Sequence, residues 1–262
     1  MKVLPALRVL LWPAAVVFGV VVRLRARMYR LGLFRQKRLK GAVISVGNLT
    51  VGGTGKTPMV LWLAERLLAR GRRVAILTRG YRGQGDDSDE VRVLRNRLGE
   101  RVRFGVGANR YAAGRGLENE VDCFILDDGF QHLQLARDVD IVLIDATTPF
   151  AGGRLLPAGR LREPRSALGR ANVVVITRSV RAPGLESAVR RHTAAPAFYA
   201  QTVPVNVLDA LWKEGSPEIP AWAGKKCFAF CAIGNPASFF DDLQRWGVQL
   251  VGTAEFPDHN RF

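Results

Sequence analysis

The sequence predicts an α/β fold built on a mostly parallel, doubly wound sheet. Three observations carry that expectation. Short aliphatic runs recur along the chain, at 43–46, 74–77, 124–126, 141–144 and 173–176, each the length of a strand buried on both faces. Helical periodicity separates them; between Met59 and Arg70, for example, Val60, Leu63, Ala64, Leu67 and Leu68 share one face. Glycine-containing turns punctuate the alternation, which is the pattern of a parallel sheet with crossover helices. At 262 residues and 48% hydrophobic composition, the chain can bury one good core with a smaller second lobe.

Taken in order, the first element is an apolar segment, Val3 to Val22, interrupted by Arg8 and free of charge from Val9 onward. That uncharged stretch is shorter than the ~20 residues a membrane-spanning helix needs. Pro5 and Pro13 further weaken a straight span. No small-residue cleavage site follows. Instead come Arg23, Arg25, Arg27 and Arg30, then Lys37, Arg38 and Lys40. This reads as an N-terminal helix (residues 1–34) lying in the interface of an anionic membrane surface on the cytoplasmic side. The competing reading is a helix packed on the protein's own core.

The formal charge of +16 favours polyanionic partners in general. The arginines are dispersed, however, and no basic stretch carries interleaved stacking aromatics, so no nucleic-acid partner is expected. No protein partner is predicted either. Cys123, Cys227 and Cys231 form no disulfide framework and read as buried, inert thiols in a reducing compartment.

The strongest local signal follows the first strand. Val43 to Val46 leads into Gly47-Asn48-Leu49-Thr50-Val51-Gly52-Gly53-Thr54-Gly55-Lys56-Thr57-Pro58 and then a helix. Gly52, Gly53, Thr54 and Gly55 let backbone N–H groups curve around phosphate oxygens, and the helix N-terminus adds its positive dipole end. Lys56 reaches the β- and γ-phosphates, and the Thr57 hydroxyl can ligate Mg²⁺. Pro58 suits an early helical position. The strict phosphate-loop pattern has glycine where Thr50 stands, so the loop is a variant. A second signal is Val121 to His132, an apolar run ending in Asp127-Asp128-Gly129. It places two carboxylates at the carboxyl end of a central strand, where open α/β sheets bind ligands and phosphate-loop enzymes hold their metal. Further strands end at Thr78, Asp145 and Thr177.

Together the motifs resemble a known family. V-G-N-L-T-V-G-G-T-G-K-T-P (46–58), T-R-G-Y (78–81), L-D-D-G-F-Q-H (126–132), A-R-D (136–138), L-L-P-A-G-R-L-R-E-P (155–164), I-G-N-P (233–236) and F-P-D-H (256–259) look like the tetraacyldisaccharide 4'-kinases of lipid A biosynthesis. The resemblance implies ATP- and Mg²⁺-dependent phosphorylation of the 4'-hydroxyl of an acylated glucosamine disaccharide 1-phosphate, giving lipid IVA. It also implies a peripheral position at the cytoplasmic face of the inner membrane. It assigns Thr57, Asp127, Asp128 and Gln131 to the metal site, and places Arg162 and Glu163 near the reacting phosphates.

The family's base is an aspartate in G-D-E, assisted by a histidine in D-H. Asp89, followed by Glu90 and the helical pattern Val91, Leu94 and Leu98, is the preferred match; Asp86 and Asp87, after Gly85, are rival registers. His259 is the assisting histidine. Family members continue past it with another strand–helix segment. The sequence here stops at Phe262, which leaves a fragment, a shortened member and a truncated chain all open. The expected organisation is therefore an N-terminal helix, a phosphate-loop kinase core at 35–195 and a small C-terminal α/β lobe at 196–262. The rival function is a phosphate-loop ATPase that switches a membrane-associated partner without a small-molecule acceptor.

Overall fold

The structure, a computed structural model, describes residues 10–80, 89–201, 203, 224–233 and 235–256. The chain divides into two compact units, 1–201 and 202–262.

In the first unit, helix α1 (Trp12–Arg30) precedes strand β1 (Ala42–Asn48). Helix α2 (Lys56–Leu68), β2 (Val74–Thr78), α3 (Asp89–Leu98), β3 (Val102–Val106), α4 (Arg110–Arg115) and β4 (Cys123–Asp127) follow. Then come β5 (Val139–Asp145), β6 (Val173–Thr177), α5 (Pro183–Arg190) and β7 (Ala197–Ala200). The seven strands form one sheet in the order β3-β2-β4-β1-β5-β6-β7, with every pairing parallel. The doubly wound expectation holds.

The reason lies in the strand sequences. Each central strand is apolar on both faces and needs a helical or loop layer on each side. Val74, Ile76 and Ile125 face Val60 and Ala64 of α2 and Leu94 and Leu98 of α3. Their neighbours Ala75, Leu77, Phe124 and Leu126 face Leu39 and Leu135 on the other side. Val142, Ile144, Val174 and Ile176 close a third cluster with Phe130, Leu161, Leu168 and Val189. From β1 the chain winds out to β2 and β3 and returns through β4. It then crosses to the opposite side of β1 as β5. The carboxyl ends beside β1 therefore form the crevice where the winding direction reverses.

Helix α1 answers the two readings of the N-terminus by having two faces. Ala15 and Gly19 are buried, and a Cβ added at Gly19 would lie 2.7 Å from Leu155 Cδ1, so this face packs on the protein. Trp12, Val16, Val17, Val20, Val21 and Leu24 are exposed. Pro13 sits in the first turn, where its missing N–H costs nothing. Among the described residues no helix is long and apolar enough to cross a membrane.

The second unit contains β8 (Lys226–Cys231), α6 (Pro236–Arg245) and β9 (Gln249–Glu255), with β8 and β9 paired in parallel. Phe240 of α6 packs on Ala229 and Cys231. All three cysteines are free; burial pushes the Cys123 and Cys231 thiols up.

Candidate active site

Strand β1 ends at Asn48, and the loop after it departs into conformations that side chains resist. Gly52 has φ 118° and Gly55 φ 86°, so both need glycine. Gly47 needs it for a different reason: a Cβ there would sit 2.7 Å from the backbone nitrogen of Phe130. Helix α2 starts directly after Gly55, so Lys56 and Thr57 occupy its first turn.

The loop is held at both ends. On one side the segment 154–163 folds back along it: Thr50 forms an antiparallel bridge with Leu161. Val51 N donates to Arg160 O (2.8 Å), and Arg162 N donates to Leu49 O (2.7 Å). The Arg160 guanidinium donates to Val51 O through Nε (3.2 Å) and Nη2 (2.9 Å). This explains the departure from the strict pattern. Residue 50 lies in extended backbone within a β-bridge, where threonine is well suited and glycine is not required. On the other side, Thr177 Oγ1 at the end of β6 donates to Thr54 O (3.1 Å).

Three of the predicted side chains, Lys56, Asp128 and Arg162, meet at the mouth of this loop. Lys56 Nζ lies 3.6 Å from Asp128 Oδ1 and 3.5 Å from Asn48 Oδ1. Arg162 grips Asp128 with two hydrogen bonds, Nη1 to Oδ2 and Nη2 to Oδ1, both 2.7 Å. Burial alone would raise the Asp128 carboxyl. The Arg162 hydrogen bonds and the charges of Lys56, Arg162 and Arg110 outweigh it and hold the group down at about 2. Asp128 has φ 49°, a left-handed conformation that aspartate tolerates better than most residues and that turns its carboxylate out of the strand line. Its neighbour Asp127 closes β4 and is buried.

Glu163 is also buried, and its partners are protein groups. Arg170 donates to both its oxygens (2.9 Å each), and Gln131 Nε2 donates to Oε1 (3.0 Å). Gln131 Nε2 also donates to Asn48 O (3.0 Å). Both Nε2 partners are acceptors, which fixes the amide orientation. Gln131 Oε1 is left buried with no hydrogen-bond partner.

Thr57 hydroxyl, the Asp127 and Asp128 carboxylates and the Gln131 amide oxygen are all hard oxygen donors. That chemistry fits Mg²⁺, which takes one or two carboxylates and completes its shell with water and phosphate oxygens. Among the described residues no group of three or more His, Cys, Asp or Glu forms a metal cage.

Other residues of the site were not legible in advance. Arg110, the first residue of α4, is buried; burial, and after it the nearby Arg79, lower its basicity, while Asp128 and Asp127 counter that. Its only visible cue is the basic residue opening a helix beside a strand end. Burial also lowers His132 to about 4, with Arg110, Arg137 and Arg25 adding to the effect, so its ring is neutral at ordinary pH. At the end of β5, buried Asp145 accepts from Thr147 Oγ1 (2.7 Å) and from Arg178, whose Nη1 also reaches Gly53 O (3.5 Å).

Of the two remaining predicted residues, only Asp89 is among the described ones. Asp89 is the first residue of α3, and the helix it opens buries Val91, Leu94 and Leu98 as the pattern requires. Asp86, Asp87 and His259 lie outside the described residues.

Comparison with known proteins gives a consistent picture. A family model described as tetraacyldisaccharide-1-P 4'-kinase matches residues 7–262. The chain is 44% identical over 264 residues to the tetraacyldisaccharide 4'-kinase of Geobacter metallireducens, spanning 94% of this chain and 77% of that protein. For the same-named protein of Geobacter sulfurreducens the identity is 42% over 273 residues, with 96% and 75% covered. Among solved structures, LpxK from Aquifex aeolicus in complex with ATP superposes with a TM-score of 0.73 at 30% identity, covering 97% of this chain and 83% of that one.

Proposed function

The chain belongs to the tetraacyldisaccharide-1-P 4'-kinase family, and from that premise we propose how its own residues perform the transfer. The reaction is phosphorylation of the 4'-hydroxyl of a tetraacylated glucosamine disaccharide 1-phosphate at the expense of ATP. The observation that carries the site reading is the meeting of Lys56 and Arg162 on one carboxylate, Asp128, at the mouth of a glycine loop.

In this reading, backbone N–H groups of Gly52–Gly55 and the start of α2 bind the β- and γ-phosphates of ATP. Lys56 and Arg162 face the oxygens on which charge gathers during transfer. Such preorganised cations act more strongly in a site that excludes water than in solution. Thr57, Asp127, Asp128 and Gln131 would hold Mg²⁺, which when bound would supply positive charge to the phosphates. Glu163, fixed by Arg170 and Gln131, supports this wall from behind.

Asp89 takes the proton of the 4'-hydroxyl as its oxygen bonds to the γ-phosphorus and the bond to the β-phosphate oxygen breaks, leaving ADP. His259 orients Asp89 or tunes its proton affinity. The support for this pair is the family resemblance, and for Asp89 also the helix that it opens.

The exposed apolar face of α1 lies in the membrane interface, with Arg23, Arg27 and Arg30 available to anionic headgroups at the cytoplasmic face. Full burial of each Val or Leu side chain is worth about 1.5–3 kcal/mol, so even partial insertion of that face retains the protein at a bilayer. Co-sedimentation with anionic vesicles is expected, and deletion of residues 1–22 should abolish it.

The deciding experiment is acceptor-dependent phosphotransfer. With γ-labelled ATP, label should move to the acylated disaccharide 1-phosphate and ATP turnover should depend on that acceptor. Turnover indifferent to the acceptor, with no labelled lipid, would favour an ATPase that switches a partner instead.

A further inference from the structure

We infer that Asn48 is the positioning residue that sets Lys56 and Arg162 relative to each other across the phosphate loop. This rests on the phosphate-cradle reading above. Asn48 is the last residue of β1 and is 0% exposed. A carboxamide has two N–H donors and an oxygen with two acceptor sites. Here all four are engaged, and each goes to a different part of the site.

Nδ2 donates to Thr54 Oγ1 (2.9 Å) and to Thr50 Oγ1 (3.3 Å), one on each side of the loop's glycine pair. Oδ1 accepts from Arg162 Nη2 and from Lys56 Nζ (3.5 Å). The donor pair thus closes the loop onto itself, and the acceptor pair joins the two cations that face Asp128. The main-chain oxygen of Asn48 also accepts from Gln131 Nε2 (3.0 Å), linking a fifth site residue.

No other side-chain type of this size does both tasks. Aspartate keeps the acceptors but loses both donors and adds a charge that competes with phosphate for Lys56 and Arg162. Leucine keeps the bulk and loses everything else. A neutral amide orients both cations without adding a second negative charge to the one Asp128 already sets against them. Misplacing a reacting group by about 1 Å costs on the order of 100-fold in rate, so a residue that touches no substrate can matter this much.

The test uses the full chain: wild type, Asn48→Ala, Asn48→Asp, Arg162→Ala and the double variant Asn48→Ala/Arg162→Ala. Single-turnover transfer and the Kd of a non-hydrolysable Mg·ATP analogue are measured for each. Asn48→Ala should transfer roughly 100-fold more slowly. The double variant should fall short of the product of the two single losses by roughly tenfold or more, because much of what Asn48 does is done through Arg162. Asn48→Asp should bind the analogue at least about tenfold more weakly, since its carboxylate holds the cations back.

A purely structural role would lower the thermal midpoint and leave the two losses multiplicative. That result overturns the inference, and so does wild-type analogue affinity in Asn48→Asp. If Asn48→Ala does not fold, Thr54→Val removes one accepting hydroxyl at constant shape. Transfer by Thr54→Val unchanged from wild type would then count against the inference, and a loss near tenfold would support it. A wild-type chain that neither binds the analogue nor labels lipid would strike the kinase site itself, whereas a working wild type with a multiplicative cycle strikes Asn48 alone.

Discussion

Strands β4 and β5 flank β1 and each delivers an aspartate to the crevice beside the phosphate loop, yet the two carboxylates are set up for different work. Both are gripped by an arginine from later in the chain, Asp128 by Arg162 and Asp145 by Arg178. The Asp145 side chain is only 3% exposed, accepts from Thr147, and its arginine reaches back to the loop carbonyl of Gly53. The Asp128 side chain is 39% exposed, lies in a left-handed turn, and has Lys56 as a second cation. One pair is a buried brace. The other is open on one side, so that its carboxylate can take a metal and leave Lys56 and Arg162 to a phosphate. Sign is alike in the two; accessibility separates them.

The sharpest way to break this comparison is to neutralise each carboxylate in turn. Asp128→Asn should reduce transfer by about 10²–10³-fold, the range seen when one preorganised group is lost from a reacting centre, and cost the fold less than the change at Asp145 does. Asp145→Asn should do the reverse. Leaving Arg178 with a neutral partner in a buried setting should cost about 3 kcal/mol in denaturant unfolding. Activity of the surviving folded fraction should change far less. Equal activity losses in the two variants would erase the distinction.

A smaller effect is expected behind the acid pair, at His132. Its folded pKa is depressed to about 4 from an ordinary 6.5. Between those values the unfolded chain binds the proton and the folded one does not. Stability from this group is therefore complete above pH 6.5 and declines as pH falls toward 4. His132→Gln should flatten the pH dependence of the thermal midpoint in that window and leave it unchanged at pH 8. Asp128 works lower on the scale: its contribution is present above about 3.8 and is lost as pH falls through about 2.

The smallest effect should come from restoring the strict phosphate-loop pattern. Thr50→Gly removes a β-bridged side chain and adds backbone freedom to the unfolded state, which costs about 0.5–1 kcal/mol. Because Thr50 Oγ1 is the longer of the two acceptors of Asn48 Nδ2 (3.3 Å against 2.9 Å for Thr54), transfer should fall by less than the roughly tenfold expected of Thr54→Val. A gain in activity would mean that the Thr50 side chain, beyond the backbone bridge with Leu161, holds the loop in a less active form.

Much of the scaffold is written locally. Five-residue runs such as Val74–Thr78 and Val173–Thr177 read as strands buried on both faces, and G-G-T-G-K-T after such a strand reads as a turn onto a helix end; the structure has both. Val91, Leu94 and Leu98 declare α3 by spacing alone, and all three are 0% exposed. The acidic strand end at Asp127-Asp128 was likewise readable, because the apolar run before it defines where the strand stops.

What sequence could not supply is pairing at long range. Arg162 meets Asp128 across 34 residues and Asn48 across 114, and Arg178 reaches Gly53 across 125. Those meetings depend on strand order. β5 pairs with β1 and β6 pairs with β5, which brings the segment after β5 back over the loop after β1. The same holds for Glu163, which the family resemblance sets near the phosphates and the structure ties to Arg170 and Gln131.

By itself, then, the sequence determined the class of fold, the phosphate cradle and the identity of its cation and strand-end acids, because these depend on residue type and short spacing. Only the tertiary structure decided which arginine serves which aspartate, why threonine stands at position 50, and that one buried amide joins the loop to both cations. Those outcomes follow from closing long loops around a sheet whose winding order a linear pattern does not record.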